Sequence, residues 1–281
     1  MKANRLLGAA LAVGLGLAAI TGTTVAEAQR KQAAPAQKTA EPPTTKKTIL
    51  LFPSGVAWGM STKQVAAVID KTLDAEYQPI YQKTSPGVKM KALDAQLAED
   101  KSAFRRSRID FGSTPTGVDS SPLKGEYTYN NKESLMTLER NGKKTHFFFI
   151  QDRLWKIIDE RTLGEGSKHG KDYQEVVTKM AGTFGVPGRV QEADWDKGRM
   201  STEVDWKDSA THLRIIQRSD TAVAVALEDS ATLGNLATLR ANKPAEDSGI
   251  DPSVASVTRK AEPEAPPPDA KDDKKKDNKK K

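Results

Sequence analysis

The run SLMTLERNGKKTHFFFI, residues 134–150, constrains this chain more than any other stretch. Two β-favouring segments flank Asn141-Gly142, and a two-residue turn whose central positions both accept positive φ is the strongest short-range signal for a hairpin. The following residues, QDRLWKIIDE (151–160), add a turn over 151–153 and another strand carrying Leu154 and Ile157 or Trp155 and Ile158. The chain therefore contains an antiparallel meander, and its other elements must pack on that sheet.

Upstream the apolar period is close to 3.6 rather than 2. TILLFPSG (48–55) reads as a short strand or docked segment. A helix over 62–77 follows, with Val65, Val68, Ile69 and Leu73 on one face. A second over 88–106 carries Met90, Leu93, Leu97 and Phe104, with Ser85 and Pro86 suited to its cap and first turn. Ile109 with Phe111, and Tyr127 with Tyr129, then alternate as in strands. The pattern starts again with a helix over 172–184 that stops at GVPG, followed by strands near 190–195, 200–206, 211–217 and 221–227. A closing amphipathic helix holds Leu233, Leu236 and Leu239. The expected class is α+β: an antiparallel meander sheet, or two, with helices packed on one face, in helix-then-meander halves over 48–162 and 168–241.

The ends do not share this patterning. Residues 1–28 combine basic Lys2 and Arg5, an apolar stretch from Leu6 to Ile20 and the small-x-small triplet Ala26-Glu27-Ala28, the layout of a secretory signal peptide cleaved before Gln29. The alternative is an uncleaved anchor, because the stretch approaches the ~20 apolar residues of a spanning helix. Residues 29–47 and 242–281 hold too little apolar surface to offset their ordering entropy, so a disordered spacer and a disordered Pro- and Lys-rich tail are expected around a folded region over 48–241. The chain has no Cys. Lipidation at Cys, disulfides, thiolate metal sites and a Cys nucleophile are thereby excluded. The net charge of +7 comes from the ends: residues 48–240 carry 27 basic and 26 acidic groups. That balance, with export, argues against nucleic acid as a partner.

Candidate chemistry is sparse. His146 and His212 fall in expected strands and His169 in the loop GEGSKHGKD, without the i, i+4 or His-x-His spacing of a metal site. No Gly-x-Ser-x-Gly elbow or phosphate loop is present, so no catalytic, cofactor or metal residue is assigned. Arg105, Arg106 and Arg108 form the densest basic cluster, which either complements a helix C-terminus or contacts an anion. Phe147, Phe148 and Phe149 must divide between the two faces of the sheet. With helices on one face only, these rings and Trp155 form an exposed partner surface; with both faces covered, they are core.

In GVAWGMSTKQV (55–65), Ser61 suits an N-cap, Gln64 completes a capping box, and Met60 and Val65 occupy the positions of a hydrophobic staple. GMSTKQVAAVI (59–69) resembles the helix opening of the SmpA/OmlA (BamE-like) family, small outer-membrane proteins that assist β-barrel assembly and pack two helices on a three-stranded antiparallel sheet. The resemblance covers eleven residues and implies fold rather than activity. The family's lipidated Cys and its Gly-x-Pro after the first helix are absent here. The expected function is that of an exported, non-enzymatic envelope protein without cofactor or membrane span after cleavage. It would bind an envelope protein or anionic envelope polymer through its sheet face and tails. The alternatives are a periplasmic hydrolase with a scattered site, and a protein tethered electrostatically by its Lys-rich tail.

Overall fold

The computed structural model describes residues 41–194, 196 and 199–242. The expected signal peptide (1–28), most of the expected spacer and all of the tail beyond Asn242 lie outside the described residues.

The first helix, α1 (Thr62–Tyr81), opens as the capping box requires: Gln64 N donates to Ser61 Oγ at 3.3 Å, and Ser61 N donates to Gln64 Oε1 at 2.8 Å. It runs past the expected end at residue 77, through Pro79. The last turn is held from outside, because Tyr77 and Tyr81 donate to Asp100 and Asp94 at 2.5 and 2.8 Å. Those carboxylates belong to α2 (Val88–Arg106), whose cap is Gly87 at φ +122° with no side-chain bond, rather than Ser85.

The strands are β1 (Ile109–Asp110), β2 (Glu133–Arg140), β3 (Lys143–Ile150) and β4 (Arg153–Thr162); helix α3 (Tyr173–Phe184) precedes β5 (Arg189–Gln191), β6 (Glu203–Lys207), β7 (Thr211–Ser219) and β8 (Ala222–Asp229). Asn141 and Gly142 sit at φ +50° and +72°, the positive pair that their identities promised. Gln151 and Asp152 form the next turn, also at positive φ. Tyr127 and Tyr129 are not in a strand. They belong to a long connection over 111–132, where Tyr127 stacks on Phe111 at 3.8 Å and both hydroxyls donate to Asp119. The closing helix is two short ones, α4 (Ser230–Gly234) and α5 (Leu236–Leu239), broken at Asn235.

All eight strands join one antiparallel sheet in the order β1-β2-β3-β4-β8-β7-β6-β5. Each helix-then-meander run begins at an edge and finishes in the middle, where β4 and β8 pair from Lys156↔Glu228 to Thr162↔Ala222. Helices α1 to α3 cover one face with Val65, Ile69, Leu73, Phe104, Val176 and Phe184. The other face is covered by Phe111, Leu123 and Tyr127 of the long connection and by the leucines of α4 and α5.

That second cover corrects one expectation, and the chain before residue 47 corrects another. Phe147, Phe148, Phe149 and Trp155 do not form a partner surface: none exceeds 1% exposure, Phe147 and Phe149 lying under the helices and Phe148 and Trp155 under the connection. The spacer also ends before residue 47. Thr45 N donates to Lys207 O at 2.8 Å, Lys207 N to Pro43 O at 3.0 Å and Lys46 N to Phe184 O at 3.0 Å. β5 pairs only with residues 203–205 of β6, so the backbone of Lys207 is open, and the chain before residue 47 takes it with main-chain bonds that need no apolar side chain.

Candidate functional site

Two strands carry bulges, and both matter to the second face. Between Phe148 and Phe149 the register of β4 admits Trp155 as an extra residue, and between Gln217 and Ser219 the register of β7 does the same with Arg218. A bulge re-aims the side chain it inserts. Here it turns Trp155 under the connection, with Lys156 Nζ 4.4 Å and Arg240 Cζ 5.1 Å from its ring centroid.

Beside Trp155 the strands β4, β6, β7 and β8 present Lys156, Asp205, His212, Arg214 and Glu228 to the same face, joined by Glu126 from the connection and Glu203 from β6. Lys156 reaches Glu126 at 2.5 Å and Glu228 at 3.1 Å. Arg214 reaches Glu126 and Glu228 through Nη2 at 2.8 and 2.9 Å, and Glu203 through Nη1 at 3.2 Å. Arg189 clasps the fully buried Asp205 with Nε and Nη2 at 3.0 and 2.5 Å.

His212 closes the circuit. Its Nδ1 lies 2.9 Å from Glu228 and its Nε2 3.2 Å from Asp205. Both neighbours are carboxylates, which only accept, so each ring nitrogen faces an acceptor and the arrangement favours the imidazolium form. Burial opposes that charge, but the bonds to Asp205 and Glu228 outweigh it and raise the His212 pKa. Burial likewise works against the Glu126 and Glu228 carboxylates, yet Lys156 and Arg214 hold both well below the usual range. With His212 charged, four cations (Lys156, Arg189, His212, Arg214) face four anions (Glu126, Glu203, Asp205, Glu228). A largely buried cluster is stable only when balanced in that way.

A groove of about 870 Å³ opens beside the cluster, between residues 121–126 of the connection and residues 199–203 leading into β6. Its lining includes five cations (Lys124, Lys156, Arg199, Arg214 and Arg218) and two anions (Glu126 and Glu203), although the folded region as a whole is nearly neutral.

The residues singled out in sequence do not gather here. Arg105 pairs with Asp70, Arg106 with Glu99 at 2.5 Å and Arg108 with Asp110 at 2.8 Å, so each guanidinium has its own carboxylate and the three do not converge on an anion. His146 is buried beside Thr137 Oγ1 at 3.0 Å, and burial, with Lys144 and Arg218 nearby, lowers its pKa to about 4. His169 stays in its loop, its pKa lowered by burial. Of the histidines only His212 joins the cluster. The rest of the cluster was hidden by alternation: Glu203-Val-Asp205-Trp and His212-Leu-Arg214-Ile read as strands with a solvated polar side. Ala224 and Ala226, small residues between Glu228 and the turn, were the available signal that this side is closely covered.

No family model, curated protein or solved structure matches this chain.

Proposed function

We propose that this chain is an exported, non-enzymatic binding module of the cell envelope whose binding surface is the charged groove of the second sheet face. One observation carries the reading: the acid–base groups that wall the groove are locked to one another beside an open, cation-rich surface. His212 stands behind that wall rather than in the groove lining, with both ring nitrogens facing carboxylates, and the ionisable groups Glu126, Lys156, Glu203 and Arg214 that do line the groove pair with one another. A mutually satisfied ion cluster instead holds β4, β6, β7 and β8 in one arrangement, which is what a preformed recognition surface requires. Export is supported by the layout of residues 1–28, and an envelope setting follows from export rather than from any feature of the folded region.

Two measurements test this. Fractionation with N-terminal mapping of the full-length product expects a mature chain starting at Gln29 outside the cytoplasm; an intact N-terminus in the cytosol contradicts export. A photoreactive residue at Met200, exposed at the rim of the groove, expects a discrete adduct in intact cells, whereas one at Val88, exposed at the start of α2, does not. Equal labelling from both positions, or none from Met200, contradicts the groove.

A further inference from the structure

Among the described residues, the buried side-chain nitrogens without a hydrogen-bond partner are Nε of Arg140, Nε1 of Trp155, and Nε and Nη2 of Arg218. Three of these four belong to the two bulge residues, and Arg218 lines the groove. A buried donor left unmet is costly, so Arg218 is held in a state that a suitable acceptor would relieve.

Its neighbours show which acceptor. Nε and Nη2 form one edge of the guanidinium, and on this sheet three other arginines use that edge on a carboxylate. Arg189 holds Asp205 at 3.0 and 2.5 Å, Arg214 holds Glu228 at 3.2 and 2.9 Å, and Arg240 holds Glu133 at 2.8 and 2.9 Å. The same edge of Arg218 has only Glu160, 3.7 Å away and beyond hydrogen-bond distance. Within the groove, Glu126 and Glu203 are taken up by Lys156 and Arg214, which leaves Lys124, Arg199 and Arg218 as a cation excess without acidic counterparts in the lining. Pro122, Met200 and Ile216 place apolar surface among those cations, a combination that suits a polypeptide better than a simple anion.

Resting on the groove reading above, we propose that the ligand is an acidic polypeptide segment, one of whose Asp or Glu carboxylates is received bidentately by the Nε–Nη2 edge of Arg218. The edge is turned inward in the free protein, so Arg218 rotates toward the groove as the carboxylate arrives. A planar fork matched to a planar carboxylate explains why arginine rather than lysine stands at this bulge.

The test follows the Arg218 Nε–H resonance of the full chain while acetylated, amidated Ala-Glu-Ala is titrated against Ala-Gln-Ala, inorganic phosphate and glucuronate. A saturable shift with Ala-Glu-Ala, weakened at least ~10-fold in Arg218→Lys and absent with Ala-Gln-Ala, is expected. Circular dichroism of Arg218→Lys checks that its fold is kept. An equal response to both peptides, or to neither, overturns the proposal. A response to phosphate as strong as that to Ala-Glu-Ala overturns the carboxylate assignment, and an equal response to glucuronate overturns the polypeptide assignment. Glu160→Gln is expected to bind at least as tightly as the parent chain; binding that appears only in that variant identifies Glu160 as the native occupant and ends the proposal. If the Met200 adduct persists while Arg218 is silent, the ligand class is wrong and the groove stands; if both vanish, the groove reading fails as well.

Discussion

Lys156 Nζ lies 3.1 Å from Oε1 of Glu228, directly across the junction where β4 meets β8. The pair joins the two helix-then-meander runs at the centre of the sheet, and Glu228 also serves Arg214 and His212. Replacing Glu228 by Gln leaves three cations facing one carboxylate fewer at a position that is itself buried. Breaking a buried cluster in this way costs about 3–5 kcal/mol. Guanidinium denaturation of Glu228→Gln at pH 7 is expected to show a loss of that order, and a loss below ~1 kcal/mol would put the cluster in the class of surface pairs.

Buried His146 and half-buried His212 give opposite pH dependences. His212 has its pKa raised by Asp205 and Glu228, so its stabilisation is fully present below the ordinary value of 6.5 and is lost as pH rises through the folded value. The penalty for His212→Gln is therefore largest below pH 6.5 and shrinks in alkali. His146, held neutral down to about 4, contributes full stability above 6.5 and loses about 3 kcal/mol as pH falls from 6.5 toward 4. Denaturation midpoints between pH 9 and 5 for the parent chain, His146→Gln and His212→Gln separate the two, and a His212→Gln penalty that grows with pH contradicts the imidazolium.

Phe148→Ala removes a ring packed between Lys156 and the long connection, and is expected to cost about 3–5 kcal/mol through the cavity it leaves. Phe148→Asp is expected to prevent folding, because the new carboxylate would lie among Trp155, Ile158 and Ile216. A stable, monomeric Phe148→Asp protein would restore the exposed aromatic face that the structure denies.

Gly188 sits where β5 begins against the core. A Cβ there would lie 2.3 Å from Val204 Cγ1 and 2.6 Å from Trp206 Cζ2, and Trp206 is anchored by its Nε1 bond to Val186 O at 3.1 Å. Neither neighbour is a flexible chain end. Gly188→Ala is expected to lose about 1–3 kcal/mol in thermal or chemical unfolding, as overpacked cores do, and an unchanged midpoint would show that β5 yields freely.

Where local chemistry decides, the sequence was readable. Asn141-Gly142 specifies its turn, Ser61 and Gln64 cap α1, and Asp172 and Gly185 bound α3. What escaped reading depends on partners far along the chain. α1 passes Pro79 because α2 supplies Asp94 and Asp100, and residues 43–46 are ordered by open backbone on β6 and α3. The candidate site escaped for the same reason. Lys156, Glu126 and Arg214 stand far apart in sequence, and nothing in one strand's alternation says that its polar side will be roofed by a connection lacking regular strands. The arginines that drew attention, 105, 106 and 108, are clustered in sequence and scattered in use.

The most direct test of the groove as a recognition surface combines position and chemistry in one measurement: the yield of the Met200 photo-adduct in intact cells, compared between the parent chain and Arg218→Lys. The account predicts a discrete adduct in the parent and at least a ~10-fold lower yield in the variant at equal protein level, because Lys keeps the charge but not the fork. Equal adduct yields from the two chains would contradict the carboxylate-receiving role of Arg218, and no adduct from the parent would contradict the groove itself.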